Sequence, residues 1–279
     1  MEKLELPEIE TLRRDLERDS IGKKVKSAEA VALDSVPRHQ TSAAFAENLV
    51  GAKITGVERY GLLLLLHLDN DHVLVISLGD EGRLTRVASK DARSEDTTVV
   101  IVFTQGGDLR LVDGSGTSVV HVVSVEELHE VLPRPGEIGL DLHERPVSWV
   151  DFGRLVMSKK MPLKLLLTDD SIFVGIGDIY SNEILFDAGL RHDRACGDLS
   201  TQEIRRLYRS VVGIIHDAIK YGGTSLPTRP FADLAGKPGE YTEHLSVYGR
   251  TGDLSPRSRL PIQKTSFKHQ IVYYCKTQV

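Results

Sequence analysis

The sequence predicts an α+β protein: an N-terminal helix plus an antiparallel β-sandwich, then a helical domain that ends in a β-hairpin. Three observations predict it. From about residue 25 to 128, short apolar runs alternate with turn-forming residues, as in a sheet of several short strands. Beyond Trp149 the apolar spacing changes to a helical period. Between the two, Pro133 to Pro146 reads as a linker. A chain of 279 residues is long enough for two domains, each burying its own core.

The first helix is marked by Pro7 in its first turn, by Glu8 and Glu10 at its positive end, and by Ile9, Leu12 and Leu16 on one face. Gly22 ends it. Strands are expected at Lys53–Tyr60, Leu62–Leu68, Val73–Leu78, Thr97–Phe103, Leu109–Val112 and Ser118–Val123. Asp69-Asn70-Asp71, Gly106-Gly107 and Asp113-Gly114 punctuate them, and Lys90 to Thr97 is a polar loop. Helices are expected at Trp149–Lys160, Pro162–Thr168, Ile179–Ala188 and Ser200–Tyr221. The last opens with Ser200 and Glu203 at capping-box spacing. Ile262–Phe267 and Gln270–Tyr274 then pair as a terminal hairpin. The expected division is a sandwich domain over 1–134, a linker over 135–148, a helical domain over 149–238 and a hairpin module over 239–279.

Composition sets limits on function. Apolar runs such as Leu62–Leu66 are far too short to span a bilayer, and the start lacks the layout of a signal peptide. Two cysteines, Cys196 and Cys275, make no disulfide framework, so a cytoplasmic location is expected, nucleoid-associated in a prokaryote. The net charge of −5 counts against generic affinity for phosphates. Its distribution is uneven: from Lys237 onward seven Lys/Arg face three acids, a balance of +4 that leaves −9 for the rest.

Three separated stretches carry a resemblance. They are Glu5-Leu6-Pro7-Glu8-Ile9-Glu10-Thr11, then Gly175-Ile176-Gly177-Asp178-Ile179-Tyr180 with Glu183 to Gly189, then Gly236-Lys237-Pro238-Gly239 with Val247-Tyr248-Gly249-Arg250. In this order and spacing the chain resembles the formamidopyrimidine-DNA glycosylase / endonuclease VIII family over nearly its whole length. The resemblance implies a sandwich followed by a helix–two-turn–helix domain, and double-stranded DNA, damaged or abasic, as partner. A repair protein is a further partner it leaves unidentified.

The family's chemistry starts from an N-terminal proline whose secondary amine attacks C1′ of the damaged nucleotide. An α-amine, with a pKa of about 7.7–8.0, reaches the neutral nucleophilic form far more easily than a lysine at about 10.4. Aligning the first motif puts Leu4 in the proline's place, preceded by Met1, Glu2 and Lys3. Its nitrogen is then an amide. Glu5 matches the family's carboxylic acid, with a helix-start acid as the alternative role. Leu62, in Tyr60-Gly61-Leu62-Leu63, stands where the family has a lysine, and reads better as a core strand residue. The wedges that fill the space left by an everted base correspond to Asp80, Gly116 and Thr117.

For holding DNA, the resemblance points to Lys164, more loosely to Lys159 and Lys160, and to the turn Gly177, Asp178 and Tyr180. There Asp178 replaces an Asn and reads structurally as a helix N-cap. Lys237 and Tyr241 fall in the family's loop over the base, while Arg250 and Lys268 belong to the basic C-terminus. The family's zinc-finger cysteines correspond to Ser255, Ser258, Cys275 and Gln278, so no metal is expected, because one thiolate cannot build a four-ligand site. Gln270 replaces the arginine at the finger's tip, and Tyr273 and Tyr274 are expected to hold the hairpin by packing.

The sequence therefore suggests a DNA-binding relative of base-excision glycosylases in which most of their catalytic groups are replaced. Two alternatives stay open. One is an active glycosylase or lyase whose amine comes from Lys3 or from a terminus trimmed to Leu4. The other is a protein-interaction role without DNA binding.

Overall fold

The computed structural model describes residues 3–279. The chain divides into two compact units: residues up to Arg134 together with Gly222–Gly239, and Pro135–Tyr221 together with Glu240–Val279. The return of Gly222–Gly239 to the first unit differs from the expected helical domain over 149–238. Its cause is a set of acidic side chains on the first helix, described below.

In the first unit, α1 (Leu6–Ser20) leads into β1 (Val25–Ala30) and the short α2 (Ser42–Glu47). Seven strands follow: β2 (Ile54–Tyr60), β3 (Leu63–Leu68), β4 (His72–Ser77), β5 (Arg83–Val87), β6 (Thr97–Phe103), β7 (Asp108–Val112) and β8 (Val119–Ser124). They form two four-stranded antiparallel sheets, ordered β1-β6-β7-β5 and β2-β3-β4-β8. One core lies between the sheets. Leu64, Leu66, Leu74, Ile76, Val99, Ile101, Leu109 and Leu111 meet there with Ile9, Leu12 and Leu16 of α1. Each such side chain stabilises the fold by about 1.5–3 kcal/mol on burial.

The unbroken apolar run of β3 has a physical reason. Leu64 and Leu66 face the main core, while Leu63 and Leu65 join a second cluster with Val73, Val75, Val123, Leu128, Val131 and Leu132. Both faces of the strand are covered, so the usual alternation is absent.

The second unit contains α3 (Trp149–Met157), α4 (Leu163–Leu167), α5 (Asp178–Ala188), α6 (Thr201–Lys220) and the hairpin β9 (Gln263–Phe267) with β10 (Gln270–Tyr274). The capping box of α6 forms: the Glu203 N–H donates to Ser200 Oγ at 3.3 Å and the Ser200 N–H to Glu203 Oε2 at 2.8 Å. The hairpin turn is made by Lys268 and His269, both with positive φ, the geometry a two-residue type I′ turn requires. No helix among the described residues is long and apolar enough to cross a membrane.

Candidate reaction site and nucleic-acid interface

At the start of the first unit, Glu5 is the N-cap of α1 and only 3% exposed. Its N–H donates to Glu8 Oε2 at 3.1 Å, and its own Oε1 accepts from Arg229 Nη1 at 3.1 Å. Glu8 Oε1 accepts the Thr224 N–H at 2.8 Å, and Asp15 Oδ2 accepts the Leu234 N–H at 3.3 Å. Three carboxylates of one helix thus fasten the segment Gly222–Gly239. A fourth, Glu10, accepts from the fully buried Arg59 at 3.2 Å and also pairs with Arg13 and Arg14. The acids of the first motif hold the fold together through partners far away in sequence. Arg229, Thr224 and Arg59 carry no sequence signal that announces these pairings.

Leu4 and Leu62, which the resemblance aligns with the family's proline and lysine, are both partly buried and pack against the same main core. Lys3 is exposed. The two loops that correspond to the family's wedges are tied to each other. The Asp80 N–H donates to Thr117 Oγ1 at 3.0 Å and the Gly79 N–H to Ser118 Oγ at 2.9 Å. Gly79 allows this approach, since a Cβ there would lie about 2.0 Å from Thr117 Oγ1. Asp113 anchors the second loop by accepting from Ser115 and Ser118, hydrogen bonds that hold its carboxyl below the usual range against the opposing effect of burial. Lys237 is exposed, in a turn closed by its N–H donating to Asp233 Oδ1 at 2.8 Å.

In the second unit, Lys164 is 0% exposed. Its Nζ donates to Ser181 Oγ at 2.7 Å and pairs with Asp178 Oδ1 at 2.9 Å. Ser181 Oγ in turn donates to the Gly177 carbonyl at 2.6 Å. The expected phosphate-contacting lysine is therefore inside the fold. Its ammonium neutralises the aspartate that replaces the family's asparagine. Gly177, not Asp178, is the N-cap of α5; Asp178 is the first helical residue, placed to reach Lys164. Tyr180 and Tyr241 are also buried, ring against ring at 5.8 Å, with Tyr221 and His244 beside Tyr241. These three expected DNA contacts are core residues.

Of the other cations expected to hold DNA in this unit, Lys160 and Lys268 are exposed and Lys159 and Arg250 half-buried. Arg250 is engaged: Nη1 donates to the Leu245 carbonyl at 2.9 Å and Nε pairs with Asp253 at 3.1 Å. Glu183 holds the same stretch. It accepts the N–H groups of Ser246, Val247 and Tyr248 at 2.7, 2.9 and 2.8 Å. Burial pushes this carboxyl up, and the three donors oppose that shift.

A family model for the formamidopyrimidine-DNA glycosylase N-terminal domain matches residues 4–118, and one for the glycosylase H2TH domain matches residues 138–229. Formamidopyrimidine-DNA glycosylase of Geobacillus kaustophilus is 32% identical over 271 residues, covering 97% of each chain. That of Rickettsia bellii is 32% identical over 279 residues, covering 98% of each. The chain belongs to the formamidopyrimidine-DNA glycosylase family. Among solved structures, the Lactococcus lactis glycosylase in complex with abasic-site DNA superposes with a TM-score of 0.87 at 26% identity, covering 97% of both chains.

The family's zinc finger invites a test of fit. Ser255, Ser258, Cys275 and Gln278 do converge: Ser258 Oγ lies 2.9 Å from Cys275 Sγ, and the Ser258 N–H donates to Ser255 Oγ at 3.4 Å. Gln278 Oε1 accepts the Cys275 N–H at 2.8 Å, while its Nε2 donates to the Leu190 carbonyl at 2.8 Å. Hydroxyl, thiol and amide satisfy one another. Two neutral hydroxyls and an amide are poor zinc donors, so this set does not fit the ion. Hydrogen bonds from Ser258, Thr277 and Ser255 outweigh burial and bring the Cys275 thiol down to about 7. At the finger's tip, Gln270 Nε2 donates to Thr168 Oγ1 at 2.8 Å.

Proposed function

We propose that this family member binds double-stranded DNA, damaged or abasic, and lacks the amine chemistry of base excision and strand cleavage. One observation carries the reading. The nitrogen at the family's nucleophile position is the Leu4 amide, whose lone pair is delocalised, and the Leu4 side chain is committed to the core beside which Leu62 also packs. An amide cannot form the Schiff base through which such an enzyme proceeds. The engagement of Glu5 by Arg229 supports the same reading, because a carboxylate held in a buried ion pair is poorly placed to shuttle a proton.

DNA affinity in this reading comes from the exposed Lys160, Lys237 and Lys268, with Lys159 in support. The finger is held without zinc by the hydrogen-bonded quartet around Cys275. Trapping with borohydride on abasic-site DNA tests the chemical half, and a salt titration of duplex, nicked and abasic DNA tests the binding half.

A second reading, catalysis by another amine, draws on the exposed Lys3 two residues before Glu5. Adduct formation that disappears in Lys3→Ala would establish it. A protein-interaction role without DNA binding draws on the neutralised Lys164 and the acid at position 80. Absence of binding to duplex, nicked and abasic DNA would favour it, whereas affinity that falls with salt would favour phosphate contact.

A further inference from the structure

We propose that Lys23 and Arg86, in the first unit, form a binding site for a small oxyanion of the phosphate type. All three guanidinium nitrogens of Arg86 are shielded from solvent and have no hydrogen-bond partner among the described residues. Cationic nitrogens removed from water without a hydrogen-bond partner are disfavoured. The Phe103 ring lies over the guanidinium, with its centroid 4.4 Å from Cζ. Lys23 stands beside it. A Cβ placed on Gly106 would meet Lys23 Nζ at 3.1 Å and Arg86 Nη2 at 3.2 Å, so the two cationic groups converge on one point.

Their mutual repulsion and their burial both pull the Lys23 ammonium down, burial being the larger cause, and burial does the same to Arg86. Asp19 and Asp108 attract Arg86 through space, and Asp19 attracts Lys23, but the hydrogen bonds of both carboxylates go to other groups. Asp19 accepts from Arg18 at 3.2 Å, and Asp108 accepts from Ser89 at 2.6 Å and from Arg110 at 3.1 Å. Two converging cations without a carboxylate of their own match the fork that a tetrahedral oxyanion accepts from guanidinium and ammonium together. Gly106 and Gly107, both with positive φ, keep the adjoining turn free of side chains. The Arg86 N–H also donates to the Leu234 carbonyl at 2.8 Å, so an anion here braces the segment that α1 fastens.

The test is titration calorimetry of the full chain with inorganic phosphate against chloride at equal ionic strength, alongside thermal unfolding. The expected result is one phosphate per chain and a rise in Tm of about 3 °C near ten times Kd. Binding should weaken at least tenfold in Lys23→Gln and in Arg86→Gln. Lys23 is half-buried and makes no side-chain hydrogen bond among the described residues, so Lys23→Gln reports on the site even if Arg86→Gln fails to fold. No binding by the wild-type chain, or unchanged binding by Lys23→Gln, overturns the proposal. Competition by a short duplex would identify DNA as the source of the phosphate group; indifference to duplex would identify a free anion.

Discussion

Arg229 Nη1 donates to Glu5 Oε1 at 3.1 Å across 224 residues of chain. The pair is buried on both sides and joins the acid of the first motif to the segment that returns from the helical half. The residue that the family pattern marks for proton transfer is here a clamp.

Removing one member of that pair strands the other. Arg229→Ala should destabilise the first unit by about 3–5 kcal/mol, the usual penalty for breaking a buried pair. Glu5→Gln with Arg229→Met should recover part of it. Denaturant unfolding of the single and double variants measures the coupling, and additive losses would show that the pair does not act as one unit.

The chemistry of this site was half legible. Glu5, Leu4 and Leu62 stand at recognisable places in a motif, so the departure from the family's residues is visible in the sequence. Arg229 was not, because nothing in a sequence ties residues so far apart without a local pattern. The fold shows the same division. The capping box of Ser200 and Glu203 is a four-residue signal and forms as expected. The strands Val25–Ala30 and Arg83–Val87 escaped notice because they are the two edges of the first sheet. Their charges, such as Lys26, Glu29, Arg83 and Arg86, break the alternation that marks an inner strand, and charged edges are how sheets avoid pairing with one another. Lys164 looked like a surface cation because its partners, Asp178 and Ser181, belong to the next helix.

Lys164 and the exposed lysines should behave differently toward DNA. Lys164→Ala leaves Asp178 without its cation and should cost about 3 kcal/mol of stability while leaving the salt slope of duplex binding unchanged. Lys160→Ala and Lys268→Ala should leave stability within about 0.5 kcal/mol and each lower the slope by about one. A slope reduced by Lys164→Ala as well would identify it as a phosphate contact.

Purified protein should contain no stoichiometric zinc, and a chelator should leave Tm unchanged. The load falls on the hydrogen bonds instead. Gln278→Ala removes the partners of the Cys275 N–H and the Leu190 carbonyl and should cost about 1–3 kcal/mol. One zinc per chain in elemental analysis would contradict the quartet as described.

Stability should fall as the medium becomes acidic. Burial, the largest cause in each case, holds His39, His121 and His192 below the ordinary histidine value. Each is neutral in the folded state at a pH where the unfolded chain already takes up a proton, so stability rises with pH in that window. The loss begins as pH drops through about 6.5, the ordinary histidine value, and ends once the folded-state histidines also protonate. Denaturant unfolding at pH 7.5 and 5.5 measures it, and His121→Gln and His192→Gln should each flatten the dependence. Equal slopes in variants and wild type would assign the effect to other groups.

On the proposed reading no amine stands at the reaction position. Borohydride trapping on duplex DNA with a single abasic site tests it most directly, using the full-length chain, Lys3→Ala and a chain shortened to begin at Leu4. The account predicts no covalent adduct with the full-length chain, together with salt-sensitive binding to the same duplex. A borohydride-stabilised adduct approaching one per full-length chain would contradict it.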